Sequence, residues 1–336
     1  MQAANGQWGV LRAREPIDTV LADPHAPQTL RDRLTEVRAA REFASRELKL
    51  PNNRSYRTYA DIHRPYVVWN VVAAPEFSVH PKQWCFPVAG CVAYRGYFNE
   101  KRARDFAASL SKRGFDVTLD GVPAYSTLGK FADPVLSTML RYGPDELAAI
   151  IFHELAHQLL YVQNDSQFNE AFAVTVENAG LERWLTLNGH ADRFEQYRQE
   201  SAREREFVEL FAQTRAQLAL LYSSGLPPAQ MREKKAKMFA ELSTQIRDLE
   251  RRQGMHSTLY EEWLTEGLNN ARLAAEATYF DCLPGFERLL AEQDNDLTRF
   301  YAAARELARL PMAARHEKLC RTPAAPSPVS AGDTAP

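Results

Sequence analysis
The sequence predicts an α+β fold that is mostly helical: a small twisted sheet over a helix that carries His153-Glu154-Leu155-Ala156-His157, then a long helical hairpin and C-terminal helices. Three observations predict it. Two long charged stretches of helical character lie on either side of Gly225-Leu226-Pro227-Pro228. Short β-branched and aromatic runs cluster before residue 130. Between these regions, Leu147, Ile150, Ile151, Leu155 and Leu159 give the motif segment an apolar face at helical spacing.

The elements follow in order. Leu21, Leu30, Leu34, Val37 and Phe43 place one helix over 17–48, and Leu50-Pro51-Asn52-Asn53 breaks it. Residues 66–72 read as a strand, and 90–98 are extended. An amphipathic helix over 100–113 is closed by Gly114. Residues 115–119 alternate as a strand, Asp120-Gly121 is a hairpin turn pair, and 122–128 form the next strand. Gly143-Pro144 followed by Asp145 and Glu146 starts the motif helix, which runs to about 161. A polar loop over 163–166 leads to a second helix over 169–187, stopped by Gly189. The hairpin covers 191–222 and 228–253, with further helices over 260–279 and 294–309. Residues 322–336, rich in Pro, Ala and Ser, form a disordered tail.

Composition excludes several classes. A formal net charge of -2 over 336 residues gives no reason to expect a nucleic-acid partner. No apolar stretch is long enough to span a bilayer, and the chain as given begins without a secretory signal. Four cysteines are too few for a disulfide scaffold. Pro87 and Gly90 could turn the chain to join Cys85 and Cys91; two buried thiols are an equally good reading.

His153 and His157 stand one turn apart on one helix face, so both imidazoles reach one ion. Glu154 points instead at the metal-bound water as its general base. Two His and a Glu in a largely apolar helix are costly without such a task. A catalytic zinc ion also needs a third protein ligand and an open position. Glu170 lies thirteen residues after His157, on a helix folded back against the first. Glu177, two turns further on the same face, is placed to hydrogen-bond a ligand imidazole. The reverse assignment, with Glu177 as ligand and Glu170 as its support, stays open, although Glu177 lies deeper along the second helix.

These residues resemble known enzymes. His153 to Gln158 reads HELAHQ and Asn169 to Ala173 reads NEAFA. The gluzincin aminopeptidases carry closely similar words with a longer insert between them. That resemblance implies one zinc ion held by His153, His157 and Glu170, with Glu177 supporting a ligand His. The Gly-x-Met-Glu-Asn word that helps bind the substrate amino terminus in that group is absent. A closer resemblance spans nearly the whole chain. Residues 84–91, 94–98, 124–129, 168–170 and 268–271 are similar to words of a bacterial family labelled "putative aminopeptidase". Members often begin with a lipoprotein-type signal, so the resemblance implies the cell envelope, periplasmic or lipoprotein-anchored.

The expectation is a single zincin-like metallopeptidase domain over 1–321: N-terminal helices and sheet to about 142, active-site helices over 143–189, and a helical part over 190–321. Its activity would be zinc-dependent peptide hydrolysis, an aminopeptidase by resemblance, on a peptide substrate. A zinc endopeptidase and a zinc-stabilised, non-catalytic binding protein are the alternatives. Tyr279 is the candidate oxyanion donor, and a packed core tyrosine is its rival reading. Asn269 and Asn270 either bind substrate backbone or cap a turn. Arg95 and Tyr97 either reach the cleft or lie on the sheet surface. Strand 122–128 either pairs with substrate or is an ordinary edge. Oligomeric state is not legible in the sequence.

Overall fold
The computed structural model describes residues 2–86, 90–254 and 257–320, without the side chains of 2–5, 258–259 and 277–280. The expected tail, 322–336, lies outside the described residues. Helices dominate and the strands are short, as an α+β fold requires.

The chain opens with α1 (Gln2–Arg12), β1 (Arg14–Pro16), α2 (Ile17–Ala22) and α3 (Gln28–Arg46). The single helix expected over 17–48 is thus two helices. Pro24 and Pro27 remove backbone donors and clash with the preceding turn. From within α3, the buried Arg41 donates to the carbonyls of Ser55, Pro51 and Asn53 and to Ser45 Oγ. One guanidinium fork thereby organises the loop over 49–57.

Next come β2 (Thr58–Ala60), β3 (Val68–Pro75), β4 (Trp84–Phe86), β5 (Gly90–Val92), β6 (Tyr94–Tyr97), α4 (Glu100–Ser111), β7 (Phe115–Val122) and β8 (Val135–Leu136). An antiparallel sheet has the order β6-β3-β7, and a smaller mixed sheet the order β1-β2-β8, with β2 and β8 parallel. The hairpin expected at Asp120-Gly121 is absent. β7 runs through both residues and pairs with β3 along its whole length, Asp120 opposite Asn70 and Gly121 opposite Trp69. Gly121 serves a close approach instead: a Cβ there would lie 2.3 Å from the Tyr66 ring. Residues 123–128 accordingly form no strand. Across β4 and β5, Cys85 faces Cys91, and the two are joined as a disulfide.

The alternation of β3 sets the two faces of the main sheet. Trp69, Val71 and Ala73 pack with Tyr97 against Ala103 and Leu110 of α4. Val68, Asn70 and Tyr94 line a cleft on the opposite face.

The helical remainder is α5 (Pro144–Leu159), α6 (Ser166–Leu187), α7 (Ala191–Tyr222), α8 (Pro228–Gln253), α9 (Thr258–Glu266), α10 (Asn270–Phe280), α11 (Leu283–Glu292), α12 (Leu297–Ala308) and α13 (Met312–Leu319). The hairpin α7–α8 has the expected bounds. It is sealed by Phe207, Phe211, Leu218 and Leu221 against Phe239, Leu242, Ile246 and Leu249. The helix expected over 260–279 is split, because Asn269 Oδ1 accepts from the backbone N–H of Ala271 and Arg272 and starts α10 afresh.

α6 begins at Ser166, earlier than the expected 169, because Asp165 caps it by accepting from Phe168 N–H. It packs closely on α5: a Cβ on Gly180 would lie 2.9 Å from the Phe152 ring. The C-terminal helices hold its start. Phe168 and Phe172 pack on Phe286 of α11, and Phe172 stacks on Phe300 of α12. Arg315 of α13 donates to Asp165 at 2.6 Å. Cys282 and Cys320 form a second disulfide at the ends of this region.

Candidate active site
The pairing of α5 with α6 brings the motif residues together. His153 Nε2, His157 Nε2 and Glu170 Oε2 form a triangle with sides of 3.1, 3.4 and 3.5 Å. A tetrahedral ion with ligands at about 2.0–2.1 Å spaces its ligand atoms about 3.4 Å apart. The donor set, two imidazoles and one carboxylate, therefore fits a first-row divalent ion such as zinc in both chemistry and spacing.

Glu177 lies on the far side of His153, with Oε2 2.9 Å from Nδ1. A proton on Nδ1 satisfies that contact and leaves the Nε2 lone pair facing the cluster. Of the two acidic residues on α6, Glu170 is thus the one beside both Nε2 atoms. Glu177 touches the nitrogen that faces away.

The electrostatics favour positive charge at the centre. Burial opposes a charged His153, but hydrogen bonds and charge from Glu170 and Glu177 outweigh it and raise its pKa well above the ordinary range. Burial would raise Glu170, yet the two imidazoles hold it far below its ordinary value. Glu154 moves the other way: burial raises its pKa, against the lowering effect of the same histidines. Its Oε2 is buried and has no hydrogen-bond partner in the protein. A carboxylate in that condition is readily protonated, which suits a group that must take up and release a proton.

The cluster opens into a cleft of about 920 Å³ lined by Val68, Asn70, Tyr94, Ile150, Tyr161 and the segment 122–128. That segment lies along the cleft as expected, although as irregular chain. A second open groove, between β7, α7, α9 and α10, shares Asn70, Tyr94, Val122 and Glu170 with the first.

Other expected residues fall elsewhere. Arg95 lies over the rings of Tyr97 and Phe106, on the α4 side of the sheet and away from the cleft. Asn269 caps α10 and donates to the Val117 carbonyl. Asn270 donates to the Glu76 carbonyl and accepts from the Tyr222 hydroxyl. Both asparagines are spent on structure. Tyr279 belongs to α10, but its side chain lies outside the described residues. Tyr94 and Tyr161 were not anticipated. Burial and then the nearby Glu170 raise the pKa of both phenols, so each stays a neutral donor beside the cluster. The signal for Tyr94 is strand alternation: with Arg95 and Tyr97 on the α4 face, Tyr94 and Gly96 take the other.

Residues 1–319 match the family described as "Putative aminopeptidase", and the chain belongs to it. No curated protein and no solved structure matches the chain.

Proposed function
We propose that this member of the aminopeptidase family is a zinc-dependent peptide hydrolase in which Glu154 is the general base. The observation that carries the reading is the triangle of His153, His157 and Glu170 at the floor of an open cleft, with the buried carboxylate of Glu154 beside it. His153, His157 and Glu170 would hold one ion, and Glu177 would fix the His153 ring. When bound, the ion supplies Lewis acidity to a water and to the substrate carbonyl. Glu154 accepts the proton of the attacking water and returns it to the leaving amine. A small sheet beside the motif helix is the arrangement that a zincin-like fold would have.

The family name favours an aminopeptidase. The two clefts that meet at Glu170 favour a second reading, an endopeptidase with substrate on both sides of the cluster. Aminoacyl-chromogenic substrates compared with internally quenched peptides separate the two. The test of the common mechanism is Glu154→Gln. Hydrolysis of either substrate should fall by about 10³-fold or more while one zinc per chain is retained. Unchanged hydrolysis would sink the mechanism.

A further inference from the structure
The loop that Arg41 organises delivers two side chains to the back of the motif helix. Ser55 N–H donates to Asn53 Oδ1, which orients that amide. Asn53 Nδ2 then donates to Gln158 Oε1 at 2.6 Å. The Gln158 amide is oriented in turn, and its Nε2 donor is buried without a partner. Gln158 stands one turn after Glu154, so their side chains are neighbours on α5. Glu154 Oε2 is a buried acceptor without a partner, and the Tyr56 hydroxyl is a third buried atom in the same condition. Tyr56 is 1% exposed and is held at φ 61°, in the left-handed region that a bulky residue seldom occupies. Glu154 is the charged group that acts most strongly on its phenol, ahead of Asp133. The Ser126 side chain lies beside the phenol and eases that effect, but it does not meet the Tyr56 hydroxyl with hydrogen-bond geometry.

Three orphaned polar atoms, two on the motif helix and one on the loop that docks on it through Asn53, are expensive if each stands alone. Their chemistry is complementary: one carboxylate oxygen, one amide N–H and one hydroxyl. A single buried water needs two to four such partners. We propose that Tyr56 and Gln158 are positioning residues for the general base, joined to Glu154 Oε2 through one shared water, so that the other carboxylate oxygen stays turned toward the cleft. The inference rests on the hydrolase reading above.

The test is steady-state kinetics of the zinc-loaded full chain carrying Tyr56→Phe or Gln158→Met. Removing a buried hydroxyl that does nothing is neutral or stabilising. A positioning role instead lowers kcat about tenfold, with KM, zinc stoichiometry and Tm near wild type. In a Glu154→Gln background, Tyr56→Phe should cost nothing further, because the group it positions is gone. Unchanged kcat, loss of zinc or folded protein in step with activity, or losses that add to those of Glu154→Gln would each overturn the inference. If Glu154→Gln itself keeps wild-type activity, the hydrolase reading falls and this inference with it. If only the two positioning variants are silent, this inference alone falls.

Discussion
Two histidine clusters in this molecule share a local pattern. His153 contacts Glu177 at 2.9 Å, and His316 contacts Asp165 at 2.8 Å. Each histidine also has two further donor residues within metal-binding reach, His157 and Glu170 in one case, Cys282 and Cys320 in the other. Their fates differ. In the C-terminal cluster the two sulfurs are bonded to each other, and Asp165 is shared among His316, Arg315 and the start of α6. Both sulfurs and Nε2 of His316 are thus already used. In the α5–α6 cluster two imidazole nitrogens and a carboxylate oxygen converge on a cleft. Nearness of ligating groups is therefore a weak sign of a site; unspent donors that face an opening are a stronger one.

Mutating the carboxylate in each pair tests the contrast. Asp165→Ala leaves the buried Arg315 without its partner and removes the cap of α6. Stability should fall by about 3–5 kcal/mol, read from denaturant unfolding. The molecules that stay folded should still hydrolyse peptide, because no donor of the cleft is touched. Glu177→Gln should do the reverse. On the proposed zinc reading it should weaken zinc binding about 10- to 100-fold, measured by competition with a chelator, and leave the unfolding midpoint of the metal-free protein nearly unchanged. Equal loss of stability in both variants would erase the distinction.

One side of this contrast was legible in sequence, and the illegible part of the molecule has a common cause. The motif helix, its partner and the long hairpin show themselves through period and caps, which are local. Glu170 and Glu177 follow from a spacing of two turns on a helix that must fold back. The strand through Asp120-Gly121 was hidden because a turn dipeptide reports local preference, whereas β3 pairing is settled far along the chain. Tyr94 was hidden by parity: shifting a strand by one residue exchanges its faces, so Arg95 and Tyr97 looked as plausible. Tyr56 lies in a loop without period, placed by the Arg41 guanidinium, which bonds the carbonyl of Ser55, fourteen residues further along the chain. The Cys282–Cys320 bond spans 38 residues and has no spacing signature.

The same distinction between spent and unspent partners holds for two aspartates that are each 2% exposed, Asp165 and Asp133. Burial raises both pKa values. At Asp165 the hydrogen bonds of His316 and Arg315 reverse the effect, and the net shift is downward. Asp133 has Thr127 as its hydrogen-bond donor, through N–H and hydroxyl, and burial wins: its pKa is pushed up to about 6. A carboxyl whose folded pKa exceeds its unfolded value of about 3.9 binds its proton more tightly in the folded chain. Its contribution is therefore fully present below pH of about 4 and is lost as pH rises through about 6. The expected loss is on the order of 1 kcal/mol, less than the full shift implies, because the interior relaxes around the charge. Asp133→Asn keeps an acceptor for Thr127 N–H and cannot ionise. Unfolding curves taken at intervals from pH 4 to 7 should show that this component of the slope disappears in the variant. A slope identical to wild type would mean that Asp133 is as well compensated as Asp165.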